Sequence, residues 1–289
     1  MVGPAISETL VRDLLRDEAV LDRVKVEDLL PVAAGARPAA LIVLPADLPD
    51  AYSLGGSIDA LVHRRGGARW QVPLPPRARL RRQAQVLRDA YSDVVEESTT
   101  YRALMGWVER LGLRAWHLEV RPTVRYLVVY RDPAAVEALV ELGEMLTEHR
   151  KKVAGWAETD PRFAELLGKL LGYPACCLEN YVRHLAGGTP REDSLAAQLA
   201  AQVARGEGLQ EFVFFASGFL PCDPGCPAAR EVAEGILRAL TGCLPQAGDV
   251  YRQVCRENLA EAARPPAERR RYVEVLERTR RLLGGYDEA

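Results

Sequence analysis

The sequence predicts an α+β protein, with a small mixed α/β N-terminal half that contains a β-hairpin or meander and a mainly helical C-terminal half. Three observations carry this. In "LRAWHLEVRPTVRYLVVYRD", Trp116, Leu118 and Val120 alternate with polar residues, "RPT" supplies a turn, and Val124, Tyr126, Val128 and Tyr130 alternate again, the pattern of paired strands. "AALIVLP" (Ala39–Pro45) is a short apolar run with β-branched members, a buried strand. Beyond Asp132 the apolar spacing is almost wholly helical. A soft boundary near Asp132 therefore divides the chain into a mixed α/β domain, 1–131, and a helical cysteine-containing domain, 132–289.

The remaining elements follow in order. Residues 6–30 place Leu and Val at helical spacing among charges, giving one or two helices. "SLGGSIDALVHRRGG" reads as a short helix between glycine breaks, and "RWQVPL" as a strand that Pro73 confines to an edge. Residues 77–112 are helical with an interruption near "ESTT". Asp132 and Pro133 then form an N-cap and first helical position. Helices are expected over 132–157, 159–171, 174–186, 191–205, 226–242, 249–263 and 266–283. "LQEFVFFASGFLP" is strongly apolar, a strand or a buried helical turn.

Of 289 residues, 48% are hydrophobic and 27% charged, so a core that folds without staples is expected. A net charge of −2 argues against a surface built wholly for nucleic acid. No uncharged apolar run approaches the ~20 residues that span a bilayer. The N-terminus reaches acidic residues at once and lacks the basic-then-apolar order of a leader. The expectation is a cytoplasmic protein, with no membrane contact and with thiols kept reduced.

All six cysteines, Cys176, Cys177, Cys222, Cys226, Cys243 and Cys255, fall in the last two-fifths of the chain. In "LLGYPACCLENY", Gly172 is placed to end one helix and Pro174 to start the next. On that second helix Cys177 falls with Leu178, Tyr181 and Leu185, and Cys176 lies about 100° away. In "GFLPCDPGCPAAREVAEGIL" a Pro-Gly turn separates Cys222 from Cys226, and Pro227 starts another helix. Both pairs thus sit at helix N-termini, where free N–H groups and the dipole favour a thiolate, the form that a soft metal, an iron–sulfur cluster or a redox reaction requires. The spacing leaves three readings open: a zinc or iron–sulfur site on Cys176, Cys177, Cys222 and Cys226, one or two disulfides, or core thiols. Adjacent cysteines diverge on a helix, so whether one or both of Cys176 and Cys177 ligate stays open too. Cys255 shares a stripe with Tyr251, Val254 and Leu259 and reads as core; Cys243 reads as core or as a further member of the cluster.

The stretch Gly172–Cys177 followed by Pro221–Cys226 resembles the Gly-Tyr-Pro-x-Cys-Cys and Pro-Cys-x-x-x-Cys motifs of a largely archaeal family of unknown function, domain-of-unknown-function family 483. The resemblance covers roughly residues 160–235. It implies a shared cysteine constellation and carries no activity.

Other motifs are weaker. His63, His117, His149 and His184 read as surface or helix-terminal residues. "LGGS" after the first strand is a turn, or a phosphate cradle lacking the P-loop lysine. The runs "PRARLRRQAQVLR", with Arg77, Arg79, Arg81 and Arg82, and "ERRRYVEVLERTRR" are solvated helix faces or contacts for the phosphates of RNA or a nucleotide. Three function classes follow: a four-cysteine metal protein, a thiol–disulfide redox protein with Cys176 as nucleophile or a disulfide-stabilised thermophile protein, and an RNA- or protein-binding module that uses its arginine-rich helices. No catalytic set stands out.

Overall fold

The computed structural model describes residues 6–66, 76–151, 159–188 and 191–264. The expected edge strand "RWQVPL" and the expected helix 266–283 lie outside these residues. Within them the chain is α+β: three strands in the N-terminal half and eleven α-helices.

Helix α1 (Glu8–Arg16) starts at Ser7, whose hydroxyl accepts from Leu10 N–H, and buries Val11 and Leu14. Asp17 ends it. The next segment is a π-helical turn, Val24–Leu29, that runs directly into α2 (Leu30–Ala33). The wider turn buries all six of its residues, Lys25, Glu27 and Asp28 among them. Strand β1 (Ala39–Leu44) follows, then α3 (Ala51–Gly66), α4 (Pro76–Tyr91) and α5 (Thr99–Arg110). The break near "ESTT" is real: a second π turn, Ser92–Glu96, precedes Ser98, which caps α5. The "LGGS" stretch, by contrast, lies inside α3, which begins at Ala51. It is neither a turn nor a helix N-terminus, so no phosphate cradle forms there.

The hairpin is β2 (Arg114–Arg121) and β3 (Val124–Tyr130), and β1 adds to the far side of β3, giving an antiparallel sheet of order β1-β3-β2. The registers Ile42↔Leu127 and Trp116↔Val128 explain the alternation in the sequence. One face, with Ile42, Leu44, Leu127 and Val129, packs into the main core. The other, with Ala39, Leu118, Val128 and Tyr130, lies under α6 (Ala135–Lys151) and α7 (Pro161–Leu170). Period-2 patterning with both faces apolar is what a sheet covered on both sides requires.

The C-terminal half continues with α8 (Ala175–Ala186), α9 (Arg191–Ala204), α10 (Pro227–Cys243) and α11 (Pro245–Ala262). These match the expected spans to within a few residues, α11 starting at Pro245 instead of residue 249. "LQEFVFFASGFLP" contains a single 3₁₀ turn, Glu211–Val213, followed by irregular chain that buries Phe214, Phe215 and Phe219. Asp132 falls between β3 and α6, and packing crosses it. The main core holds Leu29 and Ile42 together with Phe215, Ile236 and Tyr251. Ser217 N–H donates to Glu27 Oε2 at 2.8 Å, and Asn258 Nδ2 donates to Glu27 Oε1.

A polar contact ties the break after α1 to α5: Trp107 Nε1 donates to Asp17 Oδ2 at 2.6 Å. This bond, set against partial burial, holds the Asp17 carboxyl below its ordinary value. A lowered carboxylate stabilises the fold above the ordinary aspartate range, and that contribution is lost as pH falls through the lowered value. Trp107→Phe should therefore cost about 1 kcal/mol at neutral pH. In urea unfolding, the difference from wild type should shrink in acid as Asp17 protonates.

Candidate metal centre

The site begins with the end of α7. Asp160 caps that helix and accepts from Arg162 N–H. Its C-terminus closes with Tyr173 N–H to Gly168 O at 3.0 Å and Gly172 N–H to Lys169 O at 3.1 Å, the paired bonds of a Schellman motif. Gly172 takes φ +72°, as that motif demands. Pro174 then caps α8, and its carbonyl accepts from both Cys177 N–H and Leu178 N–H at 3.0 Å. Cys176 and Cys177 therefore occupy the first turn of α8.

The second arm is the "CDPGC" turn. Asp223 organises it: its side chain accepts from Gly225 N–H at 2.7 Å and its carbonyl from Cys226 N–H at 3.0 Å. Cys226 is the N-cap of α10, with Pro227 at the first helical position.

These two helix starts bring the sulfurs together. Cys226 Sγ lies 3.6 Å from Cys177 Sγ and 3.7 Å from Cys176 Sγ, and the Cys176 and Cys177 sulfurs are 3.9 Å apart. Cys222 N–H donates to Cys177 Sγ at 3.4 Å. All four sulfurs fall within 4.8 Å of one another. Cys176 and Cys177 thus converge despite their 100° separation on the helix, and four cysteines are in place to hold a metal. The described cysteines are free thiols, with separations far beyond the ~2.05 Å of a disulfide bond. Cys176 is exposed, Cys222 half-buried, and Cys177 and Cys226 are buried.

Placement at a helix start does not by itself ionise these thiols. Burial raises Cys177 well above the ordinary range, and burial together with Cys226 pushes Cys222 up to about 11. Burial also opposes ionisation of Cys226, but hydrogen bonds from Ala229 N–H and the neighbouring thiols outweigh it and bring that group below its ordinary value. The helix N-terminus wins only where its free N–H groups point directly at sulfur.

A cation completes the surroundings. Arg191, 2% exposed, is the first residue of α9 and donates to Pro221 O at 2.6 Å and to Gln198 Oε1 at 3.2 Å. Its Nε and Nη1 have no hydrogen-bond partner among the described residues. Burial lowers its pKa from the ordinary value, and the field of Cys222, Asp223 and Cys177 offsets only part of that. Sequence reasoning passed over this residue. The available signal was a cation at a helix N-terminus, where the dipole disfavours it.

The other candidates lie elsewhere. Cys255 is fully buried beside Tyr251, and its pKa is pushed up to about 12 by burial. Cys243 ends α10, about 25 Å from Cys226 at 1.5 Å per residue. His149 pairs with Asp160 at 2.9 Å, and His117 with the Tyr101 hydroxyl at 3.2 Å. His63 lies in the last turn of α3 and His184 in α8. None joins the cysteines within metal-ligating reach among the described residues. Arg77, Arg79, Arg81 and Arg82 lie in the first half of α4, with Arg81 exposed and Arg82 half-buried.

Fold and site together define an α+β protein with a four-cysteine cluster set between two helix starts. Residues 119–241, a segment that contains all four cysteines, match the family described as "Protein of unknown function (DUF483)". Searches of the curated proteins and of the solved structures returned no match. No described helix is long and apolar enough to cross a membrane.

The geometry makes Gly172 a sensitive position. A side chain there must accept positive φ, costing roughly 1–2 kcal/mol, and its Cβ would stand 2.8 Å from Pro38 Cδ. Gly172→Ala is expected to lower unfolding stability by about 2 kcal/mol or more in denaturant titration.

Proposed function

We propose that Cys176, Cys177, Cys222 and Cys226 bind a single zinc ion in a closed four-thiolate site, and that the ion's role is to fasten α8 to α10. The observation that supports this is the sulfur spacing: Cys176, Cys177 and Cys226 stand 3.6–3.9 Å apart, and Cys222 lies within 4.8 Å of all three. A regular tetrahedron of sulfurs around an ion at ~2.3 Å has edges of about 3.8 Å. In an iron–sulfur cluster of four irons, each thiolate binds a different iron, so the sulfurs stand further apart than when they share one ion. The spacing suits one tetrahedral ion and would have to open for such a cluster.

Four protein ligands fill a tetrahedron and leave no position for substrate, which favours a structural role over a catalytic one. The thiolates would carry a net double negative charge with a divalent ion, and buried Arg191 offsets part of it. Such a site suits a reducing compartment such as the cytoplasm. The two arms are some 50 residues apart in sequence, so joining them removes chain entropy from the unfolded state.

Metal analysis of protein purified anaerobically should give about one zinc per chain and no visible absorbance. Cys177→Ser and Cys226→Ser should lose the metal, whereas Cys243→Ser and Cys255→Ser should retain it. Stripping with a strong chelator should lower the melting temperature by about 10 °C, the shift that ~4 kcal/mol of bound-ligand stabilisation produces. Several irons with labile sulfide, or metal-free protein of unchanged stability, would refute the assignment.

One observation favours a second reading: Cys176 is exposed and 3.7 Å from Cys226, suitably placed for a thiol–disulfide pair. Thiol counts before and after mild oxidation of metal-loaded protein separate the two readings, because a zinc-bound pair resists oxidation and a redox pair loses two thiols.

A further inference from the structure

A cleft of about 890 Å³ opens beside β1, between α7 and α8 on one side and the 214–220 segment and α11 on the other, and it borders the buried flank of the cysteine site at Cys177. Its size is that of a small-molecule pocket. The apolar wall is Leu41 and Val43 of β1 with Leu167 of α7. Among the described residues its charge is one-sided: Glu27, Asp28, Asp47, Glu192, Glu257 and Glu261 line it against one arginine, Arg23. That arginine is committed, donating to Asp47 Oδ1 at 2.6 Å and to Ala46 O at 3.2 Å.

Asp28 is the singular group. Its side chain is 10% exposed, and it accepts no hydrogen bond among the described residues. The adjacent Glu27 is satisfied by Ser217 and Asn258. Arg37 Nη1 stands 3.7 Å from Asp28 Oδ1, outside hydrogen-bond range, and gives its bond to Glu27 O at 2.7 Å instead. Asp28 is thus ion-paired with Arg37 but accepts no hydrogen bond from it, and a donor brought in through the cleft would supply one. A metal ion does not fit. Among the described residues, the four cysteines are the one group of three or more His, Cys, Asp or Glu ligands whose donor atoms gather within 4.8 Å.

We infer that this cleft binds an organic cation, a protonated amine carried on an apolar body, with Asp28 as its counter-ion and Leu41, Val43 and Leu167 as the surface for the apolar part. The acidic rim at Glu192 and Glu257 raises the local concentration of such a ligand, whereas Glu261 beside them is paired with Arg264 at 2.8 Å. Burial holds the Asp28 carboxyl well above its ordinary value, and a bound ammonium restores its charged form.

The test uses the full chain with its metal content measured on the same samples, so that failure of the zinc assignment and failure of this one are read separately. Binding of 2-phenylethylamine, 2-phenylethanol and phenylacetate is followed by calorimetry. The amine should bind at least tenfold more tightly than the alcohol, and the acid should not bind. Asp28→Asn should weaken the amine at least tenfold. Ala164→Trp, which fills the cleft from α7 and keeps every carboxylate, should do the same and decides the matter if the first variant fails to fold. Glu261→Gln at the rim should change affinity less than threefold. Equal affinity for the three probes, or unchanged amine binding in both cleft variants, would overturn the inference.

Discussion

Four sulfur atoms gathered within 4.8 Å are the constraint around which the C-terminal half is arranged. They come from two short arms that share one design: a tight turn, a proline, and the first turn of a helix. Gly172 turns the chain out of α7 so that Pro174 can launch α8, and Asp223 curls the second arm so that Cys226 can cap α10. Neither arm alone presents more than two sulfurs. The meeting depends on α8 and α10 being held in one packing, and Cys177 of α8 and Ala229, Ala233 and Ile236 of α10 share one core with Phe214, Phe215 and Phe219.

The sulfurs differ electrically although they are close. Cys226 receives a backbone hydrogen bond, whereas Cys177 is buried among apolar side chains. In the low-dielectric interior an unpaired thiolate is costly. A buried guanidinium with donors to spare at Arg191 is consistent with a site that carries negative charge. The stretch that follows Gly172 also shapes the neighbouring cleft. Tyr173, between the helix cap and the cysteines, sets its ring tilted against Phe219 at 5.0 Å and edge-on to Phe215 at 6.0 Å, and it lines the cleft as Cys177 does. The cysteine site and the cleft therefore share a wall.

What the sequence disclosed tracks the range of the forces involved. The hairpin, β1 and the helix starts were legible because period-2 alternation and proline at the first helical position are local signals. The four cysteines were legible because the same helix-start pattern occurs twice. The convergence of Cys176 with Cys177 was not, since helix periodicity fixes where each Cβ starts and says nothing of where a side chain turns its sulfur. Arg191 and Asp28 were hidden for a related reason: each is a charged residue whose burial is imposed by elements far away in the chain. The "LGGS" stretch was misread because glycine marks a break only as a weak preference, and packing of α3 overrode it. The 214–220 segment followed neither period, and its irregular course is set by aromatic packing.

The π-helical turn at Val24–Leu29 has a consequence for descent with modification. A π turn accommodates one residue more than an α-helical turn would. Excision of a single residue here would close the segment as ordinary helix while its flanks kept their register, so the change would fall on the turn itself, where Glu27 and Asp28 are buried. A one-residue gap at this point in a homologue would therefore mark a different setting for these two carboxylates, with the surrounding helix ends left where they are.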